Sequence, residues 1–330
     1  AKFVDKIGYR VSIVMAHIFA ALGLAGLVVL PDLLPNAFAG LLIAVVIYAI
    51  GGGLIEVLIS PIMESCPSEN KEKAMSLLHS FYCWGHVGVV LLSTIFFKVF
   101  GIENWKILAI LWMLVPIANS FLLLKAPIAP LMEEGEKGMS MLELCKQKLF
   151  WVLLIMMVCA GASEQAVSQW ASTFAEKGLG VDKTIGDLAG PMTFAILMGS
   201  ARAFYGKYGE KLDLDKFMIG SSILCVISYL LISLSPSPVL SLVGCGICVG
   251  IMWPGSFSKA AAGLKRGGTA MFALLALGGD LGCSGGPTLV GLISGAAGDN
   301  LKIGVLAAVG FPIILIVSVL LCKKMTAVKA

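Results

Sequence analysis

Apolar runs long enough to cross a bilayer recur ten times along the chain, beginning near Val11, Phe38, Met75, Ile107, Leu149, Gly186, Phe217, Val239, Ala270 and Ile303. A short polar or charged stretch separates each run from the next. About 20 mostly apolar residues carry an α-helix across the hydrocarbon core. Inside lipid the backbone must satisfy its own hydrogen bonds, and a helix does so within one segment. The pattern therefore predicts an all-α polytopic membrane protein. Composition agrees, with 58% hydrophobic and only 13% charged residues.

Charge sets the orientation. With the first polar stretch on the cytoplasmic side and the runs alternating, only Lys98, Lys106, Lys177, Lys183 and Lys302 of the 24 Lys and Arg residues face outward. So lopsided a split places both ends of this sequence in the cytoplasm. The net charge of +4 is then a product of topology, and no nucleic-acid partner is implied. The nine Cys lie mostly within the runs, where a thiol packs as a small apolar group. Cys245 and Cys248 form a C-x-x-C inside an apolar helix, which reads as packing in preference to metal or redox chemistry. No phosphate-loop motif and no nucleophile or metal constellation occurs, so the chain reads as neither an enzyme nor an ATP-driven pump, and no cofactor is expected.

The longest polar interruption, 126–148, carries Pro127, Pro130, Glu133, Glu134, Glu136 and Lys137 and reads as a cytoplasmic linker between residues 1–125 and 149–330. The two halves share a pattern. Asp5-Lys6-Ile7-Gly8-Tyr9-Arg10 lines up with Gly206-Lys207-Tyr208-Gly209-Glu210-Lys211 at an offset of 201, and Lys73-Ala74-Met75 with Thr269-Ala270-Met271 at an offset of 196. In this register the spans beginning near Leu149 and Gly186 have no partner in the first half. Two preceding spans are therefore expected, giving twelve in all, of which ten are present here.

Two six-helix halves, a cytoplasmic linker and a D-[RK]-x-G-x-[RK] loop resemble the major facilitator superfamily. Gly51-Gly52-Gly53-Leu54-Ile55-Glu56, followed by Ser60-Pro61, is similar to the fourth-helix stretch of its fucose permease branch, with Ser60 where that branch has Asn. Leu77-Leu78-His79-Ser80-Phe81-Tyr82 and Trp253-Pro254 fall where the branch has a polar fifth-helix segment and a tenth-helix Trp-Pro. The resemblance implies a sugar:proton symporter in which Glu56 takes part in proton coupling. It also implies that Asp5, Lys6, Gly8 and Arg10 form a cytoplasmic gate, with Arg202 as the second-half equivalent.

Polar side chains inside spans are the candidates for chemistry, since a carboxylate at helix centre costs about 2.5 to 3.5 kcal/mol on insertion scales unless it is paired, hydrated or protonated. Glu56 and His79 are expected at similar depth, a carboxylate and an imidazole suited to taking up and releasing a proton. Glu164, Gln165 and Gln169 sit in a polar, small-residue stretch with Trp170, offering carboxylate, amides and a flat apolar ring to a polyol. Tyr82, Trp253 and Asp280 complete the expected substrate site. Asp280 is equally open to pairing with a cation such as Lys259 or Arg202. Gly278, Gly282 and Gly286 beside it form a ridge that lets a helix approach closely.

The sequence thus reads as a secondary transporter in a bacterial plasma membrane, monomeric, with a small-molecule substrate, a proton and the lipid bilayer as its partners. Efflux of amphipathic compounds on the same fold, or a non-transporting sensor or scaffold, are the competing readings.

Overall fold

The computed structural model describes residues 2–129, 131, 136, 138–179, 182, 186, 188–236 and 239–327. Pro130, Glu133, Glu134 and Lys137 of the expected linker lie outside the described residues, as does Lys183. Among the described residues each of the ten apolar runs is largely helical. In chain order the helices are α1 (Lys2–Ile7), α2 (Tyr9–Leu33), α3 (Ala37–Ser65), α4 (Lys71–Phe100), α5 (Trp105–Lys125), α6 (Met141–Cys145), α7 (Lys148–Ser168) and α8 (Ala171–Leu179). They continue as α9 (Thr193–Tyr208), entered through a π-helical turn at Leu188–Met192, then α10 (Leu214–Leu234), α11 (Val239–Val249) and α12 (Met252–Gly263). The last are α13 (Gly268–Ala296), α14 (Leu301–Ala308) and α15 (Gly310–Ala327).

Among the described residues seven helical stretches are long and apolar enough to cross a membrane. The run starting at Val239 is not among them because it is broken at Gly250 and Ile251 into α11 and α12. Large apolar side chains such as Phe38, Leu122 and Leu292 lie about 70% exposed, as lipid-facing positions must. Polar caps begin the helices: Asn36 accepts from the backbone N–H groups of Phe38 and Ala39, Asp213 from Lys216, and Ser140 with Glu143 closes a reciprocal capping box.

The chain forms two compact units that follow packing, not chain order. One comprises Ala1–Pro67, Leu92–Gly138 and Gly268–Ala273; the other Ser68–Leu91, Met139–Gly267 and Leu274–Ala330. In the first unit α2 and α3 approach at Gly23, Gly40 and Gly51, where a Cβ would strike the backbone of the facing helix or, at Gly40, the end of α2. Val4, Ile13 and Leu58 form its buried apolar centre, with Tyr9, Leu54 and Leu123 against it. In the second unit Gly278, Gly282 and Gly286 face Leu154, Val158 and Ala162 of α7, a contact at each turn, as the glycine ridge predicts.

The loop between α1 and α2 turns at Gly8, whose φ of 85° strains any side chain. Asp5 accepts from Thr269 Oγ1 at 2.7 Å, and the Tyr9 hydroxyl lies 2.6 Å from the same oxygen. Arg10 donates to the carbonyl of Ala126 at the end of α5, a favourable place for a cation. Lys6 is exposed.

Candidate functional site

The largest fully buried side chain among the described residues is a cation. Arg202, in the middle of α9, is 2% exposed, and four acceptors surround its guanidinium. Nη2 donates to Glu164 Oε2 of α7 at 2.9 Å, Nη1 to the His79 carbonyl of α4 at 3.0 Å and to Cys83 Sγ at 3.3 Å, and Nε to the Gly250 carbonyl at 2.8 Å. Glu164 is itself only 6% exposed, so the two charges neutralise each other away from water.

The Gly250 contact has a cause in the sequence. Pro254 stands four residues on and carries no N–H, so the carbonyl of Gly250 has no helical donor and the helix breaks between α11 and α12. Gly250 lies against Met198 and Ala201 of α9, which brings Arg202 within reach of the freed oxygen. The Trp253-Pro254 pair thus makes an acceptor that a buried guanidinium occupies.

Aromatic rings extend the site from α4 to α13. His79 stacks on Phe257 of α12 with centroids 5.8 Å apart, and Phe257 meets Trp253 edge to face at 6.1 Å. Trp253, 6% exposed, covers Gly279 beside Asp280. Tyr82, one turn beyond His79, is 53% exposed, and its ring is edge-on to His86. Behind Glu164 the Tyr229 hydroxyl of α10 donates to the Ser163 carbonyl at 2.6 Å, fixing that turn of α7.

Of the residues singled out in the sequence, Glu164, His79, Tyr82, Trp253 and Arg202 therefore gather in the second unit. Gln165 is half-buried and Gln169 exposed, at the turn where α7 gives way to α8. Trp170 points to α13, where its indole N–H donates to the Pro287 carbonyl at 3.2 Å. Asp280 is exposed on α13, Arg202 is engaged by Glu164, and Lys259 bonds Asp215. Glu56 is half-buried on α3 within the first unit. Sequence reasoning did not single out Cys83, Gly250 or His86; the Pro254 beside Trp253 was the available signal for Gly250. No group of His, Cys, Asp and Glu able to hold a metal occurs among the described residues, and the thiols of Cys225 and Cys245 are free.

Residues 1–287 match the family model of the Major Facilitator Superfamily. The chain belongs to that superfamily. As a member it is a multi-pass membrane transporter, and solved structures agree on the fold. The fucose:proton symporter FucP of E. coli superposes with a TM-score of 0.80 at 13% identity, over 97% of this chain and 85% of that one. The human organic anion transporter MFSD10 gives 0.75 at 16% identity over 96% and 78%. The proton:xylose symporter XylE gives 0.74 at 13% over 98% and 81%. No curated protein matches the sequence itself. At such identities the likeness is one of architecture, and the superfamily places its substrate between helices near the bilayer midplane.

Proposed function

We propose that the chain is a proton-coupled symporter of the fucose permease-like branch, which carries a monosaccharide or similar small polyol into a bacterial cell across the plasma membrane. Bundles 1–125 and 149–330, joined by the 126–148 linker, rock about the central site. The observation that carries the reading is the buried Arg202–Glu164 pair ringed by His79, Tyr82 and Trp253: polar groups for hydroxyls beside flat rings for a sugar face. Two fold neighbours that are symporters of protons with fucose or xylose support the substrate class.

In this reading Glu56 carries the proton with His79 as its partner. Glu164, Gln165, Gln169, Trp170, Tyr82, Trp253 and Asp280 serve the substrate, and Asp5, Lys6, Gly8, Arg10 and Arg202 serve the gate. With the bundles so divided, Tyr9–Thr269 and Lys73–Glu210 each join a residue of one bundle to a residue of the other.

External alkalinisation on adding a panel of sugars to de-energised cells expressing the transporter tests this. Sugar-specific alkalinisation that Glu56→Gln abolishes is the expected result. An expressed protein that moves no protons with any sugar overturns it. The apolar face of the site, Trp253 and Phe257, favours amphipathic efflux as the second reading, which drug-accumulation assays would then decide.

A further inference from the structure

The most exposed large apolar side chain among the described residues lies outside every spanning helix. Leu142, on the five-residue α6, is 77% exposed, and Met141 beside it is exposed as well. Isolated helices shorter than about 12 residues are marginal in water, so α6 stands only because its surroundings hold it.

Both its ends are tied. Ser140 and Glu143 close the capping box, and the Met139 N–H just before it donates at 2.8 Å to the Arg266 carbonyl, in the turn between α12 and α13. At the other end the Trp151 indole of α7 donates to the Cys145 carbonyl at 2.8 Å, and Leu144 between them is fully buried. The segment is thus fixed, yet it turns Met141 and Leu142 outward. A purely structural role accounts for Leu144 and the tied ends but not for that exposed pair.

Position says what covers them. α7 begins at Lys148 and its spanning run follows at once, so α6 lies at the boundary between bilayer and water. Trp151, about half exposed in the first turn of α7, is a ring of the kind that settles at headgroup level.

Charge says which lipid. Lys146, Lys148, Lys265 and Arg266 are all exposed, and across 138–151 and 264–268 the one acid among them is Glu143. That carboxylate is already engaged. Its bond from the Ser140 N–H at 2.7 Å, with Arg266 and Lys146 close by, holds it below its ordinary value of 4.5. Positive charge is therefore in excess beside an outward apolar edge.

We propose that α6 and the 264–267 turn form a binding site for an anionic phospholipid, whose phosphate sits at Arg266 and Lys146 and whose acyl chains cover Met141, Leu142 and Trp151. A guanidinium offers phosphate oxygens two parallel N–H donors, and the lysine adds a point charge. Because α6 is pinned before the lipid arrives, little ordering opposes binding. A general positive-inside bias accounts for cations anywhere on one face, but it specifies neither an outward leucine nor a short helix fastened beside them. The site needs neither the sugar nor the proton of the reading above.

The test uses the purified full chain in vesicles of equal parts phosphatidylcholine and phosphatidylglycerol, with one lipid or the other carrying dibrominated chains that quench a nearby indole. Subtracting the Trp151→Phe signal isolates Trp151 from the other Trp residues. In wild type, quenching should correspond to an enrichment of phosphatidylglycerol at Trp151 of about fivefold over its bulk fraction. The double variant Lys146→Gln/Arg266→Gln should abolish the enrichment, Lys146→Arg should keep it, and high salt should lower it. Lys216→Gln/Lys324→Gln removes the same charge from α10 and α15 and should leave it unchanged.

No enrichment in wild type overturns the proposal. So does an equal loss in the α10 and α15 variant, which would mark bulk electrostatics and no local site. Absence of quenching by either brominated lipid also overturns it, since Trp151 would then face no acyl chain. If the Lys146 and Arg266 double variant does not fold, Leu142→Gln decides at a surface position: quenching by brominated phosphatidylglycerol should fall, and unchanged quenching refutes lipid cover of α6.

Discussion

Lys73 is ion-paired with Glu210, and the internal repeat carries this pair onto Thr269 and Tyr9, whose hydroxyls lie 2.6 Å apart. The offsets of 196 and 201 residues come from two separate stretches of sequence, yet they land on one contact. Two positions matched by the sequence pattern thus carry contacts of different chemistry: one ionic, one between neutral hydroxyls.

Their chemistry makes them respond differently to conditions. The side-chain bond from Lys73 holds the Glu210 carboxyl below its ordinary value of 4.5. A depressed carboxylate contributes stability above that ordinary value and loses it as pH falls through the folded one. Thermal unfolding in detergent should therefore show Glu210→Gln below wild type at pH 7, with the gap closing on the acid side of 4.5 and in high salt, since the pair is exposed. Tyr9→Phe should cost about 1 kcal/mol with no such dependence on salt.

Breaking the buried pair on one side leaves a naked charge. Arg202→Met alone, or Glu164→Leu alone, should lower stability by about 3 to 5 kcal/mol, whereas the double variant should recover most of it. Denaturation midpoints of the three variants check this, and transport should not return with stability.

Gly282 sits where a Cβ would collide with the Val158 carbonyl of α7, while Gly285 faces open space. Gly282→Ala should therefore force α13 away from α7 and cost about 1 to 3 kcal/mol; Gly285→Ala should be near neutral. Melting temperatures of the two proteins side by side give the comparison.

Two neighbouring hydroxyls predict opposite signs. Tyr229 donates to the Ser163 carbonyl, so Tyr229→Phe should destabilise by about 1 kcal/mol. Ser163 Oγ is buried and has no hydrogen-bond partner among the described residues, so Ser163→Ala should be neutral or stabilising in the same unfolding assay.

Much of the site was legible one residue at a time. Glu164 stood out because charge inside an apolar run demands a reason, and Arg202 and Trp253-Pro254 through the resemblance to the superfamily and its fucose permease branch. Their association was not legible. Arg202 was expected at a gate, and Asp280 was open to pairing with it or with Lys259; instead Glu164 takes Arg202 and Asp215 takes Lys259. Glu164, Gln165, Gln169 and Trp170 read along the chain as one polar stretch, whereas α7 ends at Ser168 and a turn intervenes before α8.

By itself the sequence determined the properties that are local and periodic. Apolar runs of spanning length, capping side chains, the glycine ridge of α13 and the Gly8 turn act through backbone geometry and transfer free energy, which read directly along the chain. It also determined that the carbonyl of Gly250 would lack a helical donor, because Pro254 has no N–H. Only the tertiary structure decided what fills that vacancy. The choice of Arg202 over any other donor, and of Glu164 over Asp280 as its counter-ion, depends on which helix faces approach within about 3 Å, and hydrogen bonds weaken steeply beyond that distance. Residues 38, 48 and 119 to 123 positions distant in sequence meet at one guanidinium because α9 packs against α4, α7 and the α11–α12 break together.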